Sequence, residues 1–402
     1  MAESKKHKQR IGLVLSAVPG YSETFFRNKI VGLQEHGFEV VLFVTDGPAS
    51  KQAVLDCQVI SGPHFKGSVL KVFVISIFVL IKAVLWAPVK SFRHIQFDRA
   101  DGFSVIQSLK RLTQNAFLFY KHLDWLHFGF GMLAVGRENV AQAIQARMAV
   151  SFRGFDLYLS PLKHFNCYKL LYKKSVCYHV LSKAMKQDLI LKGIGEQNIK
   201  VISPAIDVSF FKTDVNQFEK SLDYSVKILT VARLHWIKGL EYTLEALAEL
   251  KRAGIPFHYT LIGTGEERER LVFAAHQLDV LDSVTFTGRL EQDIIREKLT
   301  AADIYLQYSI QEGFGNAVLE AQAMGLLCVV SDAEGLQENV LQGQTGWVVP
   351  KRQPKLLAAQ IMGLMKLPDS EKAVIKQQAI TRVQREFHLA KQRHEFVAFY
   401  KL

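Results

Sequence analysis

Tyr308–Gly335 reads YSIQEGFGNAVLEAQAMGLLCVVSDAEG, and its punctuation decides the fold. Ala302–Leu306 before it is a short apolar run of strand type, and Leu326–Val330 is a second. Between them lies a loop with Glu312, Gly313 and Gly315, after which Asn316 is expected to N-cap a helix over Ala317–Met324 closed by Gly325. The unit is strand, glycine loop, helix, strand. Glycines let a backbone approach a ligand, and a helix N-terminus offers unpaired N–H groups with a partial positive charge. Together they make a seat for phosphate. Two carboxylates flank the seat, Glu312 in the loop and Glu320 in the helix, with seven residues between them. A carboxylate beside an anion site needs hydroxyl donors, and a nucleotide diphosphate sugar brings both phosphates and hydroxyls.

The stretch resembles the retaining GT-B glycosyltransferases of family four, whose C-terminal halves carry E-x7-E in the context E-G-F-G-N-x-x-x-E-A-x-A-x-G. The resemblance implies that Glu312 contacts the transferred sugar. It implies that the amides of Gly313, Phe314, Gly315 and Asn316 contact sugar and diphosphate, and that Glu320 contacts the ribose. Two glutamates at this spacing signify nothing alone; the density of the surrounding match carries the reading. The bland alternative is a Rossmann-like loop with solvated carboxylates.

Upstream, Lys227–Ala232 reads as a buried strand, followed by Arg233-Leu234-His235-Trp236-Ile237-Lys238-Gly239 and a helix over Leu240–Leu250. In the resembling family this R-x-x-x-x-K-G segment holds the diphosphate, which makes Arg233 and Lys238 the expected cations. Fixed cations stabilise the charge that develops on a departing nucleoside diphosphate. Phe257–Ile262 is another strand, ending in a glycine turn at Gly263. Val284–Thr287 precedes Gly288, Arg289 and Leu290, a segment the family places near the nucleotide base. Gly263, Arg289 and Leu290 therefore join the expected donor-binding set.

The first half opens with a strand over Ile11–Ala17, a turn through Pro19–Phe26, a helix capped by Ser22 and a strand over Phe38–Thr45. No G-x-G-x-x-G is present, so the dinucleotide fingerprint is missing. Family-four enzymes of exopolysaccharide synthesis carry a similar P-x-x-S-E-T-F loop. By that resemblance Gly20 is expected to meet donor diphosphate, with Ser22 and Glu23 on the acceptor side; a plain βα turn is the competing reading. Asp124–Gly129 and Met148–Phe152 look like further strands, the second ending in Arg153-Gly154-Phe155-Asp156. The family patterns here are D-x-x-H-x-H-F-G and S-F-H-G-x-D, at the mouth of the acceptor side. This chain departs twice, with Leu126 for one histidine and Arg153 where histidine is common. Arg153 is always protonated and is no general base; gripping a phosphate or an acidic sugar is the role left to it in the catalytic set. His127 and Asp156 are assigned to the acceptor side, although His127 equally fits a hydrogen-bonded structural histidine.

At 402 residues and 49% apolar composition, two domains are expected. Ser203-Pro204 is a sensible hinge. The expected division is 1–203 on the acceptor side and 204–385 for the nucleotide sugar, with a final helix over 386–402 crossing back. The net charge of +12 is uneven: residues 1–200 hold 27 Lys and Arg against 13 Asp and Glu, residues 201–402 hold 23 against 25. Such a basic half suits an anionic membrane, nucleic acid or acidic glycan. Val69–Ala87 is the most apolar segment, but Lys71 and Lys82 leave only ten apolar-type residues between them, too few to span a bilayer. A core helix or a membrane-interface helix remains, and the basic flanks favour the second. The N-terminus lacks the pattern of a signal peptide. Four scattered cysteines point to a reducing compartment.

Alternating strands and helices in both halves predict an α/β protein with two doubly wound parallel sheets, GT-B in the resembling family. The expected activity is a retaining hexosyltransferase that moves a sugar from a UDP- or GDP-linked donor to a lipid-linked or growing glycan of a bacterial surface polysaccharide. Lipopolysaccharide and capsule are the polysaccharide classes in view. No D-x-D pair appears near these segments, so neither metal nor other cofactor is expected. The expected location is cytoplasmic, peripheral at the inner face of the plasma membrane, with no nucleic-acid partner. Three alternatives stay open. A hexosyl phosphorylase would need a pyridoxal phosphate lysine, a GT-B epimerase would release free sugar, and a non-catalytic binder of nucleotide sugar or nucleic acid would use the basic half.

Overall fold

The computed structural model describes residues 8–20, 24–45, 56–119, 122–213 and 225–402. Ser22 and Glu23 lie outside them. The chain divides into two compact units. One comprises residues 1–180, 186–202 and 393–402; the other comprises 181–185 and 203–392. The division thus falls between Ile202 and Ser203, one residue from the expected hinge.

The first unit is built on a seven-stranded parallel sheet of order β3-β2-β1-β4-β5-β6-β7. Its strands are β1 (Arg10–Leu15), β2 (Glu39–Val44), β3 (Gln58–Ser61), β4 (Trp125–Phe128), β5 (Arg147–Ser151), β6 (Val176–Val180) and β7 (Ile199–Val201). Strands such as Val40–Val44 are apolar without alternation because helices cover both faces of a parallel sheet. Helix α1 (Thr24–Glu35) connects β1 to β2 and buries Phe26, Ile30 and Leu33. Between β3 and β4 the chain makes three helices, α2 (Val69–Trp86), α3 (Pro88–Ala100) and α4 (Val105–Asn115). Ser68 caps α2, and Pro88 at the first turn of α3 forces the break between the two. The last helix, Leu389–Tyr400, starts three residues later than expected and lays Phe396, Phe399 and Tyr400 into the core of this sheet.

The second unit has a six-stranded parallel sheet of order β10-β9-β8-β11-β12-β13. Its strands are β8 (Val226–Val231), β9 (Phe257–Ile262), β10 (Val284–Gly288), β11 (Ile304–Gln307), β12 (Leu327–Ser331) and β13 (Trp347–Val349). Strand order runs outward in both directions from the β8/β11 pair, so this sheet reverses there. In open parallel sheets the crevice beyond the carboxyl ends of such a pair is where ligands sit.

Candidate functional site

In the second unit every residue expected to bind donor follows the carboxyl end of a parallel strand. Arg233 and Lys238 follow β8, Gly263 follows β9, Arg289 and Leu290 follow β10, and the Glu312–Asn316 loop follows β11. Glu320 comes later in the β11–β12 connection, on the helix Asn316–Ala323. The loops after β8 and β11 flank the reversal point and are held together there. The amide of Ile310 donates to the carbonyl of Ile237 at 2.7 Å, and Lys238 Nζ forms an ion pair with Glu312 Oε2. Gly239 makes that approach possible: its φ is +60°, and a Cβ there would lie 2.1 Å from the carbonyl oxygen of Tyr308. Arg233 is exposed and its guanidinium pairs with no described residue.

The β11 loop is fixed from below. Asn339 Nδ2 donates to the carbonyls of Phe314 at 3.0 Å and Gly315 at 2.8 Å, and the amide of Gly335 donates to the carbonyl of Glu312 at 3.0 Å. Phe314 turns its ring into the core against Phe387, centroids 5.5 Å apart, so its contribution to a ligand is its backbone. Asn316 is the first residue of the helix Asn316–Ala323 and not its cap. The residue before it, Gly315, has φ +93° and no side chain to satisfy the helix N-terminus. The amides of Gly313, Phe314, Gly315 and Asn316 consequently donate to no described residue. These four N–H groups, on half-buried Gly315 and Asn316 and on buried Gly313 and Phe314, form with the helix behind them an anion-binding corner.

Glu312 sits in a charged network that the sequence reading did not assign. Ser309 Oγ donates to Glu312 Oε2 at 3.2 Å, and the Glu312 amide donates to Glu334 Oε2 at 3.2 Å. Lys351 Nζ in turn lies 3.4 Å from Glu334 Oε1. Glu334 and Asn339 belong to the turn after β12, and only their contacts across the sheet reveal them. Glu320 is different: half-buried, with no side-chain hydrogen bond to a described residue, its carboxyl is pushed by burial up to about 8. Gly263 (φ +144°) leaves room for the carbonyl of Ala232, and its amide donates to the carbonyl of Gly288 at 2.9 Å, which sets the β8, β9 and β10 turns side by side. Arg289 is exposed and Leu290 half-buried beyond that turn. Among the described residues no group of three or more His, Cys, Asp or Glu side chains is arranged for a metal.

The first unit corrects two expectations. His127, on β4, is fully buried and reaches no surface. Its Nε2 meets Ser151 Oγ at 2.7 Å, its Nδ1 meets the Tyr400 hydroxyl at 2.5 Å, and Lys29 Nζ lies 3.3 Å from that same Nδ1. Ser151 Oγ continues to His179 Nδ1 at 2.8 Å. Burial holds both imidazoles and the Lys29 ammonium well below their ordinary values. The structural reading of His127 is therefore the one the fold adopts. Asp156 is likewise buried: it accepts the Gly131 amide at 2.6 Å and the Arg153 amide at 2.5 Å, bracing two turns. Burial pushes its carboxyl up to about 7 against the pull of those donors. Arg153 stacks its guanidinium 3.7 Å over the Phe25 ring, with Phe26 and Phe130 next to it. Gly20 is exposed in the segment that follows β1, five residues past its end, with open space where a Cβ would be.

Comparison with known proteins agrees with this architecture. Residues 212–381 match the family model described as glycosyl transferases group 1. The amylovoran biosynthesis glycosyltransferase AmsK of Erwinia amylovora is 26% identical, over 86% of this chain and 88% of its own. The putative colanic acid biosynthesis glycosyltransferase WcaL of Escherichia coli is 24% identical, over 94% and 96%. Among solved structures, a glycosyltransferase from Rickettsia africae superposes with a TM-score of 0.71 at 19% identity, covering 98% of each chain. Anabaena HepE, solved in complex with UDP and glucose, superposes with a TM-score of 0.70 at 18% identity, covering 98% of this chain and 99% of its own. The fold is the two-domain α/β GT-B arrangement.

Proposed function

We propose that the chain, whose residues 212–381 match the family model of the group 1 glycosyl transferases, transfers a sugar from a nucleoside diphosphate donor to a lipid-linked or growing glycan of a bacterial exopolysaccharide. The observation that carries it is the corner itself. Four amides with no partner among the described residues, leading into a helix N-terminus, lie in the same loop as Glu312, which the Lys238 ammonium reaches across the reversal point of the sheet. AmsK and WcaL, named for exopolysaccharide synthesis, support the product class, and HepE with UDP and glucose supports a nucleotide sugar as donor.

In this reading the diphosphate lies against the amides of Gly313–Asn316, and Lys238 and Arg233 neutralise the charge that grows on it as the bond from the anomeric carbon breaks. Glu312 accepts hydroxyls of the transferred sugar, and Glu320 accepts those of the ribose. The leaving diphosphate takes the acceptor proton on the face of the sugar that the acceptor attacks, so configuration is retained. No metal is required, because cations and amides supply the stabilisation. UDP and GDP donors both suit the corner, since neither base is distinguished by it.

Incubating the full chain with radiolabelled UDP- and GDP-sugars and a membrane lipid extract tests the proposal. Label transferred to lipid or glycan, with the donor's anomeric configuration kept in the product by NMR, is the expected result. Intact nucleotide binding without transfer points instead to a binder, and free sugar without acceptor to an epimerase.

A further inference from the structure

We propose that α2 and the start of α3 form a docking surface for an anionic lipid bilayer, holding the first unit on the membrane by one flat helix. This stands independently of the transfer chemistry. Helix α2 is 18 residues long with a mean hydropathy of 2.4, yet only 6% of it is buried. Its face toward the protein is the stripe Val72, Ile75, Ser76, Val79, Leu80 and Ala83, at helical spacing, and Ser91 Oγ fastens α3 to it through the Ala83 carbonyl at 3.1 Å. The remaining surface is apolar and open: Val69 is 88% exposed, Phe73 61%, Phe78 65% and Trp86 67%. Val89 and Phe92 extend it onto α3. A water-facing helix carries polar residues on this side.

Charge selects the occupant. Between residues 62 and 100 the chain holds six Lys and Arg and a single acid, Asp98. Asp98 is buried, bonded to Arg111 Nε at 3.0 Å and Asn139 Nδ2 at 2.9 Å, so the surface itself shows only positive charge. Lys66 and Lys71 are exposed at the start of α2. At its end, Lys82 and Lys90 border an open groove of about 710 Å³ with Trp86 and Pro88. Lys82 Nζ lies 5.3 Å over the Trp86 ring. Indole beside lysine, at the edge of an apolar face, is the arrangement that settles at headgroup level. A second copy of this chain would instead set these lysines against their own like, with no exposed acid on α2 or α3 to offset them. Length and composition alone would let the helix cross a bilayer, but the stripe packed on the protein and Lys71 and Lys82 within the helix favour an interfacial position. With one stripe on the protein and the opposite face apolar, the helix, roughly 27 Å long, lies along the interface plane.

Sedimentation of the full chain with vesicles tests the surface. Vesicles of phosphatidylcholine with phosphatidylglycerol should carry the protein down, and pure phosphatidylcholine should do so much less. High salt should weaken the binding without abolishing it, because screening removes only the charged share. The Phe73→Glu/Phe78→Glu variant should lose about tenfold or more of its vesicle partition while keeping its circular dichroism spectrum and nucleotide affinity, since both rings face outward. Absence of binding to the anionic vesicles at low salt overturns the proposal, as does variant binding equal to the parent. A stable dimer that the same substitutions dissolve assigns the face to a second copy and overturns it too. Loss of vesicle binding with glycosyl transfer to a soluble acceptor intact separates this surface from the donor site.

Discussion

Lys238 and Glu312 form an ion pair across the point where the second sheet reverses, joining the loop after β8 to the loop after β11. Both side chains are largely buried, 13% and 15% exposed, and a pair held this far from water is not screened like a surface bridge. In the proposed reaction the pair is a stand-in: a diphosphate takes Lys238, and sugar hydroxyls take Glu312.

Glu312→Gln follows from that exchange. Lys238 no longer has to leave a carboxylate, so the nucleoside diphosphate alone should bind about five- to tenfold tighter by calorimetry, the equivalent of ~1 kcal/mol. Transfer should fall by about a hundredfold or more, because the sugar hydroxyls exchange an ionised acceptor for a neutral amide with one accepting oxygen. Weaker nucleotide binding in this variant would show that the pair is not exchanged.

Removing Lys238 acts on the charge that develops in the reaction. Lys238→Ala should slow transfer by about 10²–10³, or ~3–4 kcal/mol of barrier, with a smaller effect on KM, measured by steady-state kinetics. Arg233→Ala should act in the same direction; its exposed side chain makes no ion pair with a described residue, so stability should be unchanged.

Glu320 gives a pH signature. Burial raises its carboxyl from 4.5 to about 8 in the folded chain, so between those values the folded state keeps a proton that the unfolded state has lost. Stability from this group is present at low pH and declines as pH rises through that window, by at most ~1.4 kcal/mol per pH unit. Glu320→Gln should flatten the decline in urea unfolding. A ribose diol needs the ionised carboxylate, so nucleotide binding near neutral pH should release a proton, read by calorimetry in buffers of different ionisation enthalpy. No buffer dependence would place the ribose elsewhere.

Gly239→Ala tests the contact that brings the two loops together. The added Cβ would lie 2.1 Å from a backbone oxygen at a φ of +60°, and a carbonyl does not yield as a side chain does. We expect a loss of ~3 kcal/mol or more in denaturant unfolding, with nucleotide binding falling alongside. Gly20→Ala, where the space is open, should leave stability unchanged and so serves as the comparison.

The buried histidines predict acid lability. His94 is lowered to about 4, chiefly by burial, and His127 and His179 are also held low. All three remain neutral in the fold while the unfolded chain protonates them below about pH 6.5. Stability is therefore lost as pH falls through that value, with an uptake approaching three protons per unfolding event in the slope of stability against pH. Tyr400→Phe should cost ~1–2 kcal/mol by breaking the hydroxyl bond to His127, without changing donor affinity.

The sequence alone determined the parallel strands, the glycine loop at Gly313–Asn316 and the presence of one acidic and one cationic motif, because period, punctuation and residue type are local properties. The strands expected at 257–262, 284–287 and 326–330 differ from β9, β10 and β12 by a residue or less at each end. Residue type did not reveal which polar groups face water. His127 and Asp156 sit in motif positions, yet one is absorbed by Ser151, Tyr400 and Lys29, and the other by two backbone amides. Those partners lie up to 273 residues away, so no window along the chain contains them. Glu334 and Asn339 reach the site for the same reason, by sheet register. Tertiary structure also decided the fate of Val69–Trp86, whose apolar composition fits a core helix and an interfacial one equally; only the packing of a single stripe leaves the rest of its surface open.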